Sequence, residues 1–263
     1  MATASNQKNP YPPFHIVLMV LTAAILINAS LKYIGGLGQN NAAEKEIYEY
    51  ATQNGFQRSD YPDELVSFFK HNEETKEFVL AYPSKIVNFR ADLTALNDYE
   101  DRSVPPQLVQ WDLRWGYLSY GDSVMGLRGS APTALSMAAV YVQKDDSLTP
   151  VQTAKLAVKS GWEEKPKKLL SDGARSMGLT VKELPVGDRL IRQALGETGS
   201  AVVCLTDGKG FSQAVVIRGV DEEGKFLLND TVSRKRSEQS YTFQELGSHL
   251  KAVWQYTKSS QTQ

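Results

Sequence analysis

Apolar and polar positions change rhythm several times along this chain, and the changes divide it. Phe14 to Ile34 is almost continuously apolar, and Ile16 to Ile27 carries no charge at all. The run is apolar all round instead of on one stripe, which argues against a surface helix. A membrane span needs ~20 mostly apolar residues and a signal-peptide core about 7–15, so the stretch fits both. Asn28-Ala29-Ser30 is only a partial cleavage site, and Lys32 can snorkel at the far interface. An uncleaved anchor over 14–34 is therefore favoured over a cleaved signal that would leave a secreted protein. Before it, residues 1–13 are polar and Pro-rich and are expected to be disordered. After it, residues 35–43 read as a flexible linker.

Helical spacing takes over in an arm that spans 44–105. Glu44 to Thr52 alternates charged and apolar positions at helical spacing. Asp60 is expected to cap a second helix, with Pro62 in its first turn and Leu65, Phe68 and Phe69 on one face. Glu73 to Leu80 continues as a short helix. The arm has few apolar residues of its own and is expected to dock on the larger C-terminal domain.

The remainder, 106–258, mixes periods, and 259–263 is a tail. Ala131 to Val142 reads as a helix with Ser130 as its N-cap and Pro132 near its start. Thr149-Pro150 opens a helix to Lys159, Lys167 to Met177 is another closed by Gly178, and Gly187-Asp188 begins one that reaches Leu195. Strands dominate afterwards. Ala201 to Leu205 and Ser212 to Val220 are apolar runs. Asp221-Glu222-Glu223-Gly224 turns the chain into Lys225 to Leu228. Thr242 to Leu250 is a short helix and Lys251 to Tyr256 a last strand. Helices first and antiparallel strands after predict an α+β fold.

Composition narrows the function classes. A hydrophobic share of 41% and a charged share of 22% in 263 residues are ordinary for a globular protein. A net charge of -1 provides no excess of positive charge to displace counterions, so nucleic acid is not an expected partner. The single cysteine, Cys204, cannot form an internal disulfide, and its apolar setting reads as buried and inert. No Cys or His pair has metal-ligand spacing, so neither a metal nor a cofactor is expected.

The chemistry that remains lies in Gln110-Trp111-Asp112-Leu113-Arg114-Trp115-Gly116-Tyr117 and in Gly129-Ser130-Ala131-Pro132-Thr133. Together they resemble the peptidase C-thirty-nine-like domains, papain-like relatives of the bacteriocin-processing peptidases. In that family an early Gln precedes a Trp-containing turn, and a Gly-Cys-Gly-Pro-Thr element carries the nucleophile into a helix. The resemblance puts Ser130 at the Cys position. The family's His opens a hydrophobic strand, as Gly-His-Phe-Ile-Val-Leu-x-Gly-Val, and Gln213 stands there within Ser212 to Val220. The family's Asp matches Asp230 in Leu228-Asn229-Asp230-Thr231. The likeness covers Pro106 to Tyr256 and implies a papain-like fold, a central helix packed on an antiparallel sheet. It implies an extracytoplasmic location for the domain.

The replaced residues decide what that site can do. A hydroxyl is far less acidic than a thiol and needs a general base to become nucleophilic, and a glutamine cannot take up a proton near neutral pH. The three histidines, His15, His71 and His249, lie outside the motifs. Ser130 is therefore expected as a helix cap or ligand contact, Gln213 as a strand residue bonded to Asp230 or Ser130, and Asp230 as a turn cap. Gln110 would supply an oxyanion-hole donor in the family and becomes a polar cleft residue here. Trp111, Trp115, Tyr117 and Asn229 are candidates for lining the cleft, and the aromatic residues read equally well as core. Ser233-Arg234-Lys235-Arg236 reads as a solvated hairpin edge. The expected function is a membrane-tethered pseudopeptidase that binds a peptide or protein segment in the former cleft. A hydrolase using Ser130 with another base, and a scaffold working through the arm, are the alternatives.

Overall fold

The computed structural model describes residues 42–92, 96 and 99–259. The expected disordered terminus, the membrane segment 14–34, nearly all of the linker and the end of the tail lie outside the described residues. No helix among the described residues is long and apolar enough to cross a membrane. The chain divides into two units, Met1–Arg58 and Ser59–Gln263. In the first, helix α1 spans 42–54 and buries Ala43, Ile47 and Ala51, a stripe at four-residue spacing.

The second unit opens with α2 (Asp63–His71) and α3 (Lys76–Ile86). Pro62, not Asp60, stands at the N-cap of α2. Asp60 belongs to the preceding 3-10 turn, because Pro62 already fixes the extended backbone that a cap requires. A two-stranded hairpin, β1 (Ser119–Tyr120) and β2 (Ser123–Val124), leads through α4 (Met125–Arg128) into α5 (Ser130–Gln143). Next come α6 (Pro150–Ser160) and a helical stretch in three pieces. These are α7 (Pro166–Lys168), a π turn (Leu169–Gly173) and α8 (Ala174–Ser176). The rest alternates β3 (Leu179–Leu184), α9 (Asp188–Leu195), β4 (Ala201–Thr206), β5 (Ala214–Val220), β6 (Phe226–Asp230), α10 (Arg234–Ser237), β7 (Ser240–Tyr241), α11 (Phe243–Gly247) and β8 (Leu250–Lys258).

The described residues thus form an α+β fold whose six-stranded sheet runs β3-β8-β4-β5-β6-β7 with every pair antiparallel. Strands β4 and β5 read as unbroken apolar runs because both sheet faces are covered. Val203 and Val216 point into the core that α5 shares with Trp254 and Tyr256. Val202, Cys204, Val215 and Ile217 pack on the other face with Ile191 of α9 and Leu246 of α11. Helix α5 is buried on nearly every side, which its alanines allow, since Ala134, Ala138 and Ala139 let neighbours approach closely. Burying such a run supplies about 25 cal/mol per Å² of apolar surface, the main stabilising term here.

The arm from Ser59 onward belongs to the same unit, so the expected boundary at 105/106 falls inside it. Phe78 of α3 lies against two glycines of the domain. A Cβ on Gly126 would come within 2.1 Å of its ring, and one on Gly116 within 2.9 Å. Tyr117 stacks on Phe78 at 4.7 Å and donates its hydroxyl to the Phe78 carbonyl at 2.9 Å.

Candidate functional site

The site forms where the start of α5 meets β5 and the end of β6. Ser130 lies in the first turn of α5, and Gly129, not Ser130, holds the N-cap position. The expected capping bond is absent because the Ser130 hydroxyl is used across the domain. Its Oγ accepts the Ala214 backbone N–H at 2.8 Å and lies 2.7 Å from Thr231 Oγ1. Thr231 Oγ1 also donates to the Ala214 carbonyl at 3.2 Å, and Ser212 Oγ donates to that carbonyl at 2.8 Å. Three hydroxyls thus converge on the backbone of one residue, Ala214, at the mouth of β5. Ser130, Thr231 and Ser212 are all buried, so none competes with water for these bonds.

Gln110 joins the same knot from the other side. Its backbone N–H donates to the Thr231 carbonyl at 2.7 Å, and its Nε2 donates to the Gly126 carbonyl at 2.9 Å. The side chain is 2% exposed and its Oε1 has no hydrogen-bond partner. The Gly126 bond fixes which end of the amide is which, so a free acceptor remains at the floor of the site.

Asp230 is fully buried and does not address Gln213. Arg236 reaches it through Nε and Nη2, both at 2.9 Å. The backbone N–H groups of Ser212, Val232 and Ser233 donate to the same carboxylate at 3.0, 2.8 and 2.9 Å. Five donors satisfy a carboxylate that burial would otherwise penalise. The run Ser233 to Arg236 is accordingly no solvated hairpin edge. It is the start of α10, drawn inward by Asp230 and capped by Ser233, whose Oγ accepts the Arg236 N–H at 3.1 Å. The arm adds a second cap: Glu74 accepts the Ser233 hydroxyl and the Arg234 N–H, the latter at 2.8 Å. Asn72 Nδ2 and Trp111 Nε1 both donate to the Val232 carbonyl, at 2.8 and 2.6 Å.

Above this floor lies a pocket of about 200 Å³. Gln110, Ser130 and Gln213, named from three separate motifs, all line it, together with Val232 and a rim of Arg128, Glu163 and Glu164. Gln213 is exposed and bonds neither Ser130 nor Asp230, contrary to expectation, because backbone atoms and Arg236 already occupy those partners. Arg128 pairs with Glu64 of α2 at 3.1 Å, a bond that raises its pKa further. The rim escaped the motif reading. Its only signal is two adjacent glutamates between Gly161, where α6 ends in a left-handed turn, and Pro166, where the next helix begins.

The other cleft candidates are elsewhere. Trp115 is fully buried and donates to the Val109 carbonyl at 2.9 Å. Tyr117 is buried against Phe78. Asn229 is buried and donates to the carbonyls of Pro105 and Pro106 at 2.9 and 3.0 Å, tying the domain's entry segment to β6. Trp111 is 6% exposed beneath the Arg234 guanidinium, 4.5 Å from its ring centre, where it supports the Val232 wall without facing the pocket. The large apolar surface of the three aromatic residues is worth more in the core than in a cleft.

Neither described histidine serves Ser130. His71 Nδ1 is 2.7 Å from the Ser67 carbonyl on its own helix, and His249 Nδ1 is 3.1 Å from Asp207. His15 lies outside the described residues. Cys204 is fully buried on β4, and burial pushes its thiol well above the ordinary range. Among the described residues no group of three His, Cys, Asp or Glu side chains could hold a metal ion. The site can therefore hold a ligand by hydrogen bonds and charge, and no described histidine is hydrogen-bonded to Ser130.

Comparison with protein-family models found no match to this chain, and comparisons with curated proteins and with solved structures found none either.

Proposed function

We propose that this chain is a catalytically degenerate papain-like peptidase domain, of the peptidase C-thirty-nine-like kind, that works as a peptide- or protein-binding module. The proposal includes a tether to the membrane through 14–34, with the domain on the extracytoplasmic side. One observation carries the reading. The residues that the resemblance names for the nucleophile, the base and the oxyanion donor, Ser130, Gln213 and Gln110, line a single pocket although they come from distant parts of the chain. Each is spent or unsuited for catalysis. Ser130 is held by the Ala214 peptide, Gln213 cannot accept a proton, and Gln110 has committed one N–H to Gly126. A polar cleft of this kind suits an extended segment, whose main chain supplies hydrogen bonds.

Peptide hydrolysis by the full chain, measured beside the double variant Ser130→Cys with Gln213→His, tests this. The parent is expected to be inactive and the variant to gain slow cleavage. The gain stays small because Asp230 is engaged by Arg236 and cannot orient a new imidazole. A parent that cleaves peptides and loses that activity in Ser130→Ala overturns the reading in favour of a serine hydrolase.

A further inference from the structure

The groups around the pocket differ in kind from an apolar peptide cleft. Its charged lining residues are two carboxylates, Glu163 and Glu164, and one cation, Arg128. That cation is engaged by Glu64 on the arm. Neither Glu163 nor Glu164 forms an ion pair among the described residues, and Asp122 adds a further carboxylate in the adjoining depression that these two glutamates also line. The neighbouring Lys165 lines that depression too, with its Nζ donating to the Gly161 carbonyl at 3.0 Å. Gly121, in the β1–β2 turn at φ 62°, lies beside the glutamates: a Cβ there would make ordinary contact with Glu163 Cβ at 3.6 Å and Glu164 Oε1 at 3.8 Å. The rim carboxylates are thus seated on a second element and do not merely project from a loop.

The floor points the same way independently. Gln110, 2% exposed, presents an Oε1 without a partner. A buried acceptor left unpaired costs free energy that a donor group can recover. Its orientation cannot be reversed to present a donor instead, because Nε2 is held by the Gly126 carbonyl. A chain entering this pocket meets the Gln110 side chain at its base and two glutamates against one arginine, itself paired with Glu64, at its mouth.

We infer that the pocket is a subsite for a basic side chain, Lys or Arg, of an extended peptide, with Glu163 and Glu164 as the charge contacts and Gln110 Oε1 as the acceptor at the floor. This rests on the binding-module reading and adds the chemical class of the bound segment. The volume agrees: at about 200 Å³ the pocket is smaller than the ~300–1,000 Å³ of sites that enclose a small molecule, and it fits one long side chain.

The experiment titrates the full chain with acetylated, amidated alanine pentapeptides carrying Lys, norleucine or Glu at the centre, following the Gln110 side-chain amide by NMR. The expected result is binding of the Lys peptide roughly threefold or more tighter than the norleucine peptide, as for partly exposed ion pairs. The gap should close in Glu163→Gln with Glu164→Gln, and at about 0.5 M salt, where screening is nearly complete. Equal binding of the Lys and norleucine peptides, or a Lys preference that survives the double substitution, overturns the basic subsite and leaves the binding module standing. No perturbation of Gln110 by any of the three peptides overturns both.

Discussion

The floor and the rim of the pocket are built on opposite terms. On the floor, Ser130, Thr231, Ser212 and Asp230 are buried and use nearly all their hydrogen-bonding capacity on backbone and on one another. On the rim, Arg128, Glu164 and Gln213 are exposed and Glu163 half-buried, with spare capacity facing solvent. A buried network of this kind fixes one arrangement and leaves little freedom for chemistry. Groups on the rim contribute little to stability and are free to contact a ligand. On the proposed reading Ser130 and Asp230 serve the fold, and recognition falls to the rim glutamates, which motif reading passes over.

Substitutions should separate the two regions. Asp230→Ala removes the acceptor for Arg236 and three backbone N–H groups, and a loss of roughly 3 kcal/mol is expected from chemical denaturation, as for a broken buried ion pair. A loss under ~1 kcal/mol would mean that the network relaxes freely and that the floor is no tighter than the rim. Ser130→Ala comes next. It orphans the Ala214 N–H, and about 1–2 kcal/mol should be lost, with a local rise in exchange at that amide. A neutral Ser130→Ala would free the serine from its structural role and reopen the question of chemistry. Glu163→Gln with Glu164→Gln should be smallest, within about 0.5 kcal/mol in the same assay. A larger loss would make those glutamates part of the fold.

Much of the fold was legible because hydrophobic period reports burial. The apolar runs at Ala201 to Leu205 and Ser212 to Val220 became β4 and β5, and the helices around α5, α6 and α9 lie within a residue or two of their expected limits. Strand β3 was not predicted. Its Leu179-Thr180-Val181-Lys182-Glu183-Leu184 run is an edge strand with charges facing out, and it follows a helix closely enough to be taken for the helix's exit. The site was half legible. Motif resemblance pointed to Gln110, Ser130 and Gln213. It could not reveal that Arg236, six residues after Asp230, would take that carboxylate, because a run of basic residues looks solvated until a buried partner is known. The N-cap assigned to Ser130 failed for a related reason. A serine's local bond to the following turn competes with a distant one, and here the Ala214 peptide wins.

The ring of Phe78 limits how the chain can be shortened. It stands where Gly116 and Gly126 have no side chains, and it provides both the stacking partner and the carbonyl acceptor for buried Tyr117. A truncation starting at Pro106 would keep every motif of the resemblance yet leave two bare glycines and an unsupported tyrosine on its surface. It would also discard the Glu74 and Asn72 contacts to the Val232–Lys235 wall. The smallest piece able to fold as this domain does therefore includes α2 and α3, and loss of peptide binding after removing the arm would report collapse of the pocket wall as readily as loss of a partner's docking surface.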